Sequence, residues 1–323
     1  MAKGFGRYGF ATSRRPLQMP VDPLARATTS ALFERTYGTT LIDRIDDAID
    51  AGVCAQQPAL FMVVGANGGG RTSITNFILS RFAARLDIAP ANLIVPVGTT
   101  TNHDKLYIYR YWMSALEDAI AARSIALTPA LQARFTAEIQ KNDIGIMAPG
   151  YRGVLRQLTE VLRQHPQPHA FACRLENVPT IDFVAAANEI FDGMPSTCVF
   201  TALDNSTHET EVVGPFREYF SKKQENCCLV ELARPQGEIA ARMITERWAI
   251  ESSAPLPFSD GSLARGFDRE PRPIGKILVL VEQMLKYKFT QHGEGPPYPD
   301  SPELAFSAQE IEGLIAAVDL VND

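Results

Sequence analysis

The chain has 323 residues, 46% hydrophobic and 21% charged, a soluble globular balance with length for two domains and a core that needs no disulfide or metal. A net charge of −6 excludes a wholly basic nucleic-acid module. No apolar run reaches the roughly 20 residues of a membrane span, and the first ten residues lack the apolar stretch of a secretory signal, so the sequence reads as cytoplasmic, with no membrane partner.

Residues 1–30 read as a basic tail. Lys3, Arg7, Arg14, Arg15 and Arg26 face a single acid, Asp22, and Phe5, Tyr8 and Phe10 are interleaved with glycines. Such a segment is a partly ordered extension, or an arm for a partner or a phosphate backbone. Residues 29–51 carry Leu32, Leu41, Ile42, Ile45 and Ile49 near helical spacing and stop at Gly52. A short apolar run over 59–64 has the pattern of a buried parallel strand. It leads into a glycine-rich turn over 65–72, and 73–86 is helical again.

Further strands are expected over 92–97, 168–175, 197–203 and 228–232, with helices over 106–123, 129–140, 151–164 and 180–191. Strands alternating with helices imply a parallel sheet with right-handed crossovers. The long interval before 168 reads as a helical insertion. After Pro235 the pattern changes: a helix over 237–248, a loop-rich stretch over 252–273, a strong helix over 274–289, a linker over 296–302 and a last helix over 307–321. The expected organisation is a tail (1–30), an α/β domain (31–233) and a small helical domain (234–323).

The cysteines, Cys54, Cys173, Cys198, Cys227 and Cys228, include no CxxC pair and read as small apolar residues of a reducing compartment. His165 and His169 are four apart, but Pro166 and Pro168 forbid the helix that would align them on a metal.

The turn carries the chemistry. It reads Gly65-Ala66-Asn67-Gly68-Gly69-Gly70-Arg71-Thr72 and leads through Ser73 into a helix. That is the phosphate-binding pattern G-x-x-x-x-G-K-[ST] with Arg in the Lys position. Glycines let successive backbone N–H groups turn inward as an anion nest. The following helix adds the partial positive charge of its N-terminus. Thr72 stands where a hydroxyl ligates Mg²⁺, and Arg71 keeps the cation in a planar, forked form.

On these residues the chain resembles the P-loop NTPases, and within them the AAA+ branch with its STAND and origin-recognition relatives. The resemblance covers about 30–323 and implies an α/β, parallel-sheet core with a C-terminal helical lid, binding ATP or ADP with Mg²⁺. In the family an Asp-Glu pair ends the third strand. Here Glu176-Asn177 stands in that place, so Glu176 would hold the metal and Asn177 cannot serve as general base; a one-residue slip would instead put Glu176 in the base position with no acid for the metal, and either way one carboxylate is missing. Asn205, after the next strand, matches the polar first sensor. Arg217 matches the arginine finger that reaches a neighbouring subunit, with Lys222 and Lys223 as alternatives. Arg272 matches the second sensor at the start of the strongest lid helix, with Lys276 one turn on.

Three functions follow from that resemblance. The first is an ATP-binding switch or remodeller with slow or absent hydrolysis, assembling with itself or a partner protein. The second is a non-catalytic adaptor that keeps the fold. The third is a DNA-associated ATPase of the transposition or replication type, which the basic tail permits and the overall charge disfavours. A small-molecule kinase is set aside because of the long C-terminal lid.

Overall fold

The computed structural model describes residues 3–11, 15–18, 22–24, 30–95, 97–99, 105–141, 144–176, 178, 180–204, 213–221 and 225–322. In chain order the helices and strands are α1 (Ser30–Tyr37), α2 (Thr39–Ala55), β1 (Pro58–Gly65), α3 (Arg71–Arg85), β2 (Leu93–Ile94), β3 (Val97–Thr99), α4 (Lys105–Ala122), α5 (Pro129–Ile139), α6 (Ile144–Gln164) and β4 (Ala170–Glu176). They continue with α7 (Asp182–Ile190), β5 (Ser196–Leu203), α8 (Gly214–Ser221), β6 (Cys227–Glu231), α9 (Gly237–Glu251), α10 (Ser262–Gly266), α11 (Ile274–His292) and α12 (Ala308–Asn322).

The strands pair in the order β2-β4-β5-β1-β6, with β3 also on β4, and every pairing is parallel. β1 lies between β5 and β6 and is buried throughout. Its alternation splits the core in two. Leu60, Met62 and Val64 pack with α4, α6, α7 and α8 on one face, and Ala59, Phe61 and Val63 with α2 and α3 on the other. This is the expected α/β architecture, with α4–α6 as the insertion. α9–α12 enclose a third core around Ile244, Trp248, Phe267, Ile277, Val281 and Leu285.

Three local expectations are corrected. The helix over 29–51 is two helices broken at Gly38, whose φ of 78° is one that side-chain-bearing residues rarely adopt. Gly52 does not stop the second; it runs on to Ala55 and ends where Gln56 turns left-handed at φ 54°. The strand over 92–97 is two short pieces, both laid on β4.

The described N-terminal residues pack on their own chain. Phe10 lies 4.8 Å from the Trp248 ring, and Tyr8, Phe10 and Leu17 join the third core. Burying three such side chains contributes roughly 1.5–3 kcal/mol each before the entropy of ordering the segment. Arg7 is 1% exposed and donates to the carbonyls of Gly293 (2.8 Å) and Pro296 (3.1 Å) and to Ser301 Oγ (3.0 Å). Lys3 pairs with Glu294 at 2.7 Å. Arg14 and Arg26 lie outside the described residues.

Candidate functional site

The parallel register brings the C-terminal ends of β1, β5 and β6 level, Gly65 opposite Leu203 and Val64 opposite Glu231. β1 ends there and the chain must turn sharply into α3. Gly69 N–H donates to Ala66 O (2.9 Å), while Gly68 (φ 73°) and Gly70 (φ 90°) are left-handed. Gly70 caps α3 without a side-chain hydrogen bond, so the first-turn amides are directed at the space beyond the loop. Two left-handed glycines give the loop the backbone geometry in which successive amides can turn inward toward an anion.

The lid closes on this loop directly. Gly275, in the first turn of α11, donates its N–H to Gly68 O at 2.7 Å. Between loop and lid lies a cavity of 1390 Å³ lined by Ala66–Ser73 and Glu270–Lys276. Arg234, from the segment after β6, and Met243 and Arg247 of α9 complete the lid side. α1 supplies Leu32, Phe33, Thr36 and Tyr37, and the N-terminal segment supplies Leu17 and Gln18. Leu17 and Gln18 are held there by buried Glu282 of α11, which accepts both backbone N–H groups (2.7 and 3.1 Å).

Phe33 stacks on Phe77 of α3 (4.7 Å) and on Tyr37 (6.0 Å), forming an aromatic wall beside the loop. A Cβ at Gly70 would stand 3.4 Å from Tyr37 Oη. Burial pushes the Tyr37 hydroxyl up to about 12, so it is a neutral donor at physiological pH. Burial lowers the pKa of Arg71, and the charge of Glu176 acts in the opposite direction.

The residues singled out in the sequence divide as follows. Gly68, Gly69, Gly70, Arg71, Thr72, Ser73 and Arg272 line one cavity, together with Ala66, Asn67 and Lys276. Gly65 supports the loop from behind: its carbonyl accepts from Asp204 N–H (3.1 Å), and a Cβ on it would meet Leu232 at 3.1 Å. Arg272 is held by Glu270 (3.1 Å) and by its own N–H to Pro235 O (3.3 Å). Arg217 Nε and Nη2 bond Glu231 Oε1 at 2.8 and 2.6 Å, so it is tethered to the end of β6 in its own chain. Asn177, Asn205, Lys222 and Lys223 lie outside the described residues.

Glu176 closes β4, and its carboxylate is paired with Arg174 two residues earlier on the same strand face. Arg174 is itself positioned by Asn76 Oδ1 on α3 (3.3 Å), and Asn76 donates to Asp22 Oδ1 (3.0 Å). A Mg²⁺ site needs a carboxylate free to bind the ion or its waters. Thr72 stands in the first turn of α3, but Glu176 Oε1 is engaged by the Arg174 guanidinium, and Asp204 lies 3.8 Å from Arg234. Among the described residues no group of three or more His, Cys, Asp or Glu is placed to hold a metal. The residues present do not fit a Mg²⁺ ion held by Thr72 and Glu176.

Sequence reasoning missed Arg174, the aromatic wall, Leu17–Gln18 and the inward aim of Arg234 and Arg247. The i, i+2 spacing of Arg174 and Glu176 and the i, i+4 spacing of Phe33 and Tyr37 were both readable. The other placements depend on long-range packing.

No protein-family model matches this sequence, and no curated protein matches it either. Among solved structures, the chain is similar to the ORC2 protein of Aeropyrum pernix. Against its ADPNP–ADP complexes the TM-score is 0.55 at 9% identity, covering 95% of this chain and 72% of that one. Against its ADP form the TM-score is 0.55 at 10% identity, covering 95% and 73%. At such identity the likeness is one of fold: a parallel α/β sheet with a C-terminal group of helices, shared with that protein. Among the described residues no helix is long and apolar enough to cross a membrane.

Proposed function

We propose that the chain is an adenine-nucleotide-binding switch that works within a larger assembly and hydrolyses its nucleotide slowly or not at all. One observation carries the reading: the glycine loop, Arg71, Arg272 and the first turn of the lid helix converge on one cavity. Phosphates would take the loop amides and the guanidinium groups, and the Phe33–Tyr37 wall offers a base an aromatic face. The ORC2 neighbour was solved with ADPNP and ADP, which supports this ligand class. Because Gly275 bonds Gly68 directly, a ligand on the loop bears on the lid, and lid position would report occupancy to a partner or a second copy. The Arg174–Glu176 pair supports weak hydrolysis, since the carboxylate at the end of β4 is already engaged.

Calorimetry with ATP and ADP on the wild type and on an Arg71→Ala plus Thr72→Ala variant tests the proposal. The wild type is expected to bind and the variant to bind at least about tenfold more weakly. Absence of heat at millimolar nucleotide, or equal binding by the variant, contradicts it. Turnover is expected well below about 1 s⁻¹, because lost general-base catalysis alone costs roughly 10²–10⁴-fold.

The adaptor reading shares the fold and differs only in predicting no nucleotide affinity. The DNA reading loses one of the N-terminal cations it drew on, since Arg7 is buried against its own chain.

A further inference from the structure

We propose that this site binds its nucleotide without a divalent cation, the phosphate charge being met by guanidinium and ammonium groups instead. This rests on the nucleotide reading above and specifies its cofactor requirement.

Two independent features carry it. The first is the occupied carboxylate. Glu176 is paired with Arg174, and that pair is not a loose surface contact: Arg174 is 13% exposed on its side chain and bonded to Asn76, which is buried in α3 and bonded to Asp22. Asn76 of α3, backed by Asp22 of the N-terminal segment, therefore helps to hold the guanidinium on the acid. For Glu176 to serve a metal through Oε1, a preset and partly desolvated ion pair must break, leaving the Arg174 guanidinium with Asn76 alone, which is costly away from water. The metal would also sit beside Arg71, on which the Glu176 charge already acts.

The second feature is the charge of the cavity wall. Arg71, Arg234, Arg247, Arg272 and Lys276 line it, against Glu270 as the acid among the lining residues. Glu270 holds Arg272, Glu251 holds Arg247 at 3.4 Å, and Asp204 stands near Arg234; these partners orient the side chains and offset part of their charge, and the wall stays net positive through Arg71 and Lys276. Preset cations of this kind do for a polyphosphate what a bound metal does: they place positive charge on its oxygens without reorganisation. Arg in the Lys position of the loop acts in the same direction, because a fork can bridge two phosphate oxygens where an ammonium offers a point charge. A divalent ion added to this wall would meet repulsion from it.

The experiment is calorimetric titration of the full chain with ATP in buffer containing Mg²⁺ and in buffer containing excess EDTA. The Kd values are expected to agree within about threefold. A larger loss of affinity in EDTA overturns the inference and leaves the nucleotide reading intact. No binding in either buffer overturns the nucleotide reading and the inference with it. An Arg174→Met variant, checked for folding by its melting curve, frees Glu176. In it Mg²⁺ is expected to strengthen ATP binding by about tenfold or more. A folded variant indifferent to Mg²⁺ refutes the assigned role of Arg174, and should the variant fail to fold, the wild-type comparison decides alone.

Discussion

An alanine at Gly275 would place its Cβ 2.8 Å from the carbonyl oxygen and 3.1 Å from the Cα of Gly68. Both obstacles are backbone atoms of the phosphate loop, so no side chain can swing aside. Either the loop shifts or α11 moves away, and the 2.7 Å hydrogen bond from Gly275 to Gly68 stretches. Overpacking of this kind costs about 1–3 kcal/mol, and a weakened hydrogen bond about 0.5–1.5 kcal/mol. The better helix propensity of Ala offsets at most about 1 kcal/mol. The net loss is about 0.5–4.5 kcal/mol, which for a chain of this size lowers the melting temperature by one to several degrees or more, at roughly 2–4 °C per kcal/mol. Gly313, in α12, is the control: a Cβ there meets nothing within 4 Å, so Gly313→Ala is expected to stabilise by about 0.5–1 kcal/mol. Differential scanning calorimetry of both variants reads the difference. Equal melting of Gly275→Ala and wild type, or an equal loss in Gly313→Ala, refutes the close contact of lid and loop.

Arg7→Met removes the donor shared by Gly293, Pro296 and Ser301 in a buried site; a loss of about 3 kcal/mol or more is expected in urea denaturation, and wild-type stability would contradict the packing of the N-terminal segment. Arg217→Ala breaks a half-exposed pair with Glu231, so stability is expected to change by less than about 0.5 kcal/mol. Light scattering should show ATP-favoured self-association lost in the same variant, and retained association would leave Arg217 a surface residue. Burial pushes the Cys227 thiol up to about 12 and raises Cys228 as well, while Cys54 is exposed. At pH 8, iodoacetamide should therefore mark Cys54 first by mass spectrometry. Since folding favours the neutral thiols, their contribution to stability is present below the unfolded thiol value near about 8.5 and is lost as pH rises from there toward the folded value.

Periodicity exposed the strands and the long helices, because burial on both sheet faces leaves continuous apolar runs such as 59–64. The loop was legible because its glycines are demanded by backbone geometry: Gly68 and Gly70 stand at positive φ. The break at Gly38 was hidden by apolar spacing that continues across it from α1 into α2. The N-terminal residues read as a basic tail because Arg7 looks like a surface charge in sequence, whereas its partners are carbonyls almost 290 residues away. The Glu176 site was half legible: the acid at the strand end was found, and the arginine that occupies it was not. Arg174 matters only because Asn76 of α3 comes up beside β4, a contact that no local pattern encodes.

Hydrogen exchange measured with and without ATP tests the central claim most directly, that a nucleotide sits between the glycine loop and the lid. The account predicts slowed exchange in two separated segments, 66–74 and 272–280, together with the stretch around Phe33 and Tyr37, and little change in α5 and α6. Protection confined to another surface, or no protection at nucleotide concentrations that saturate binding, would contradict it.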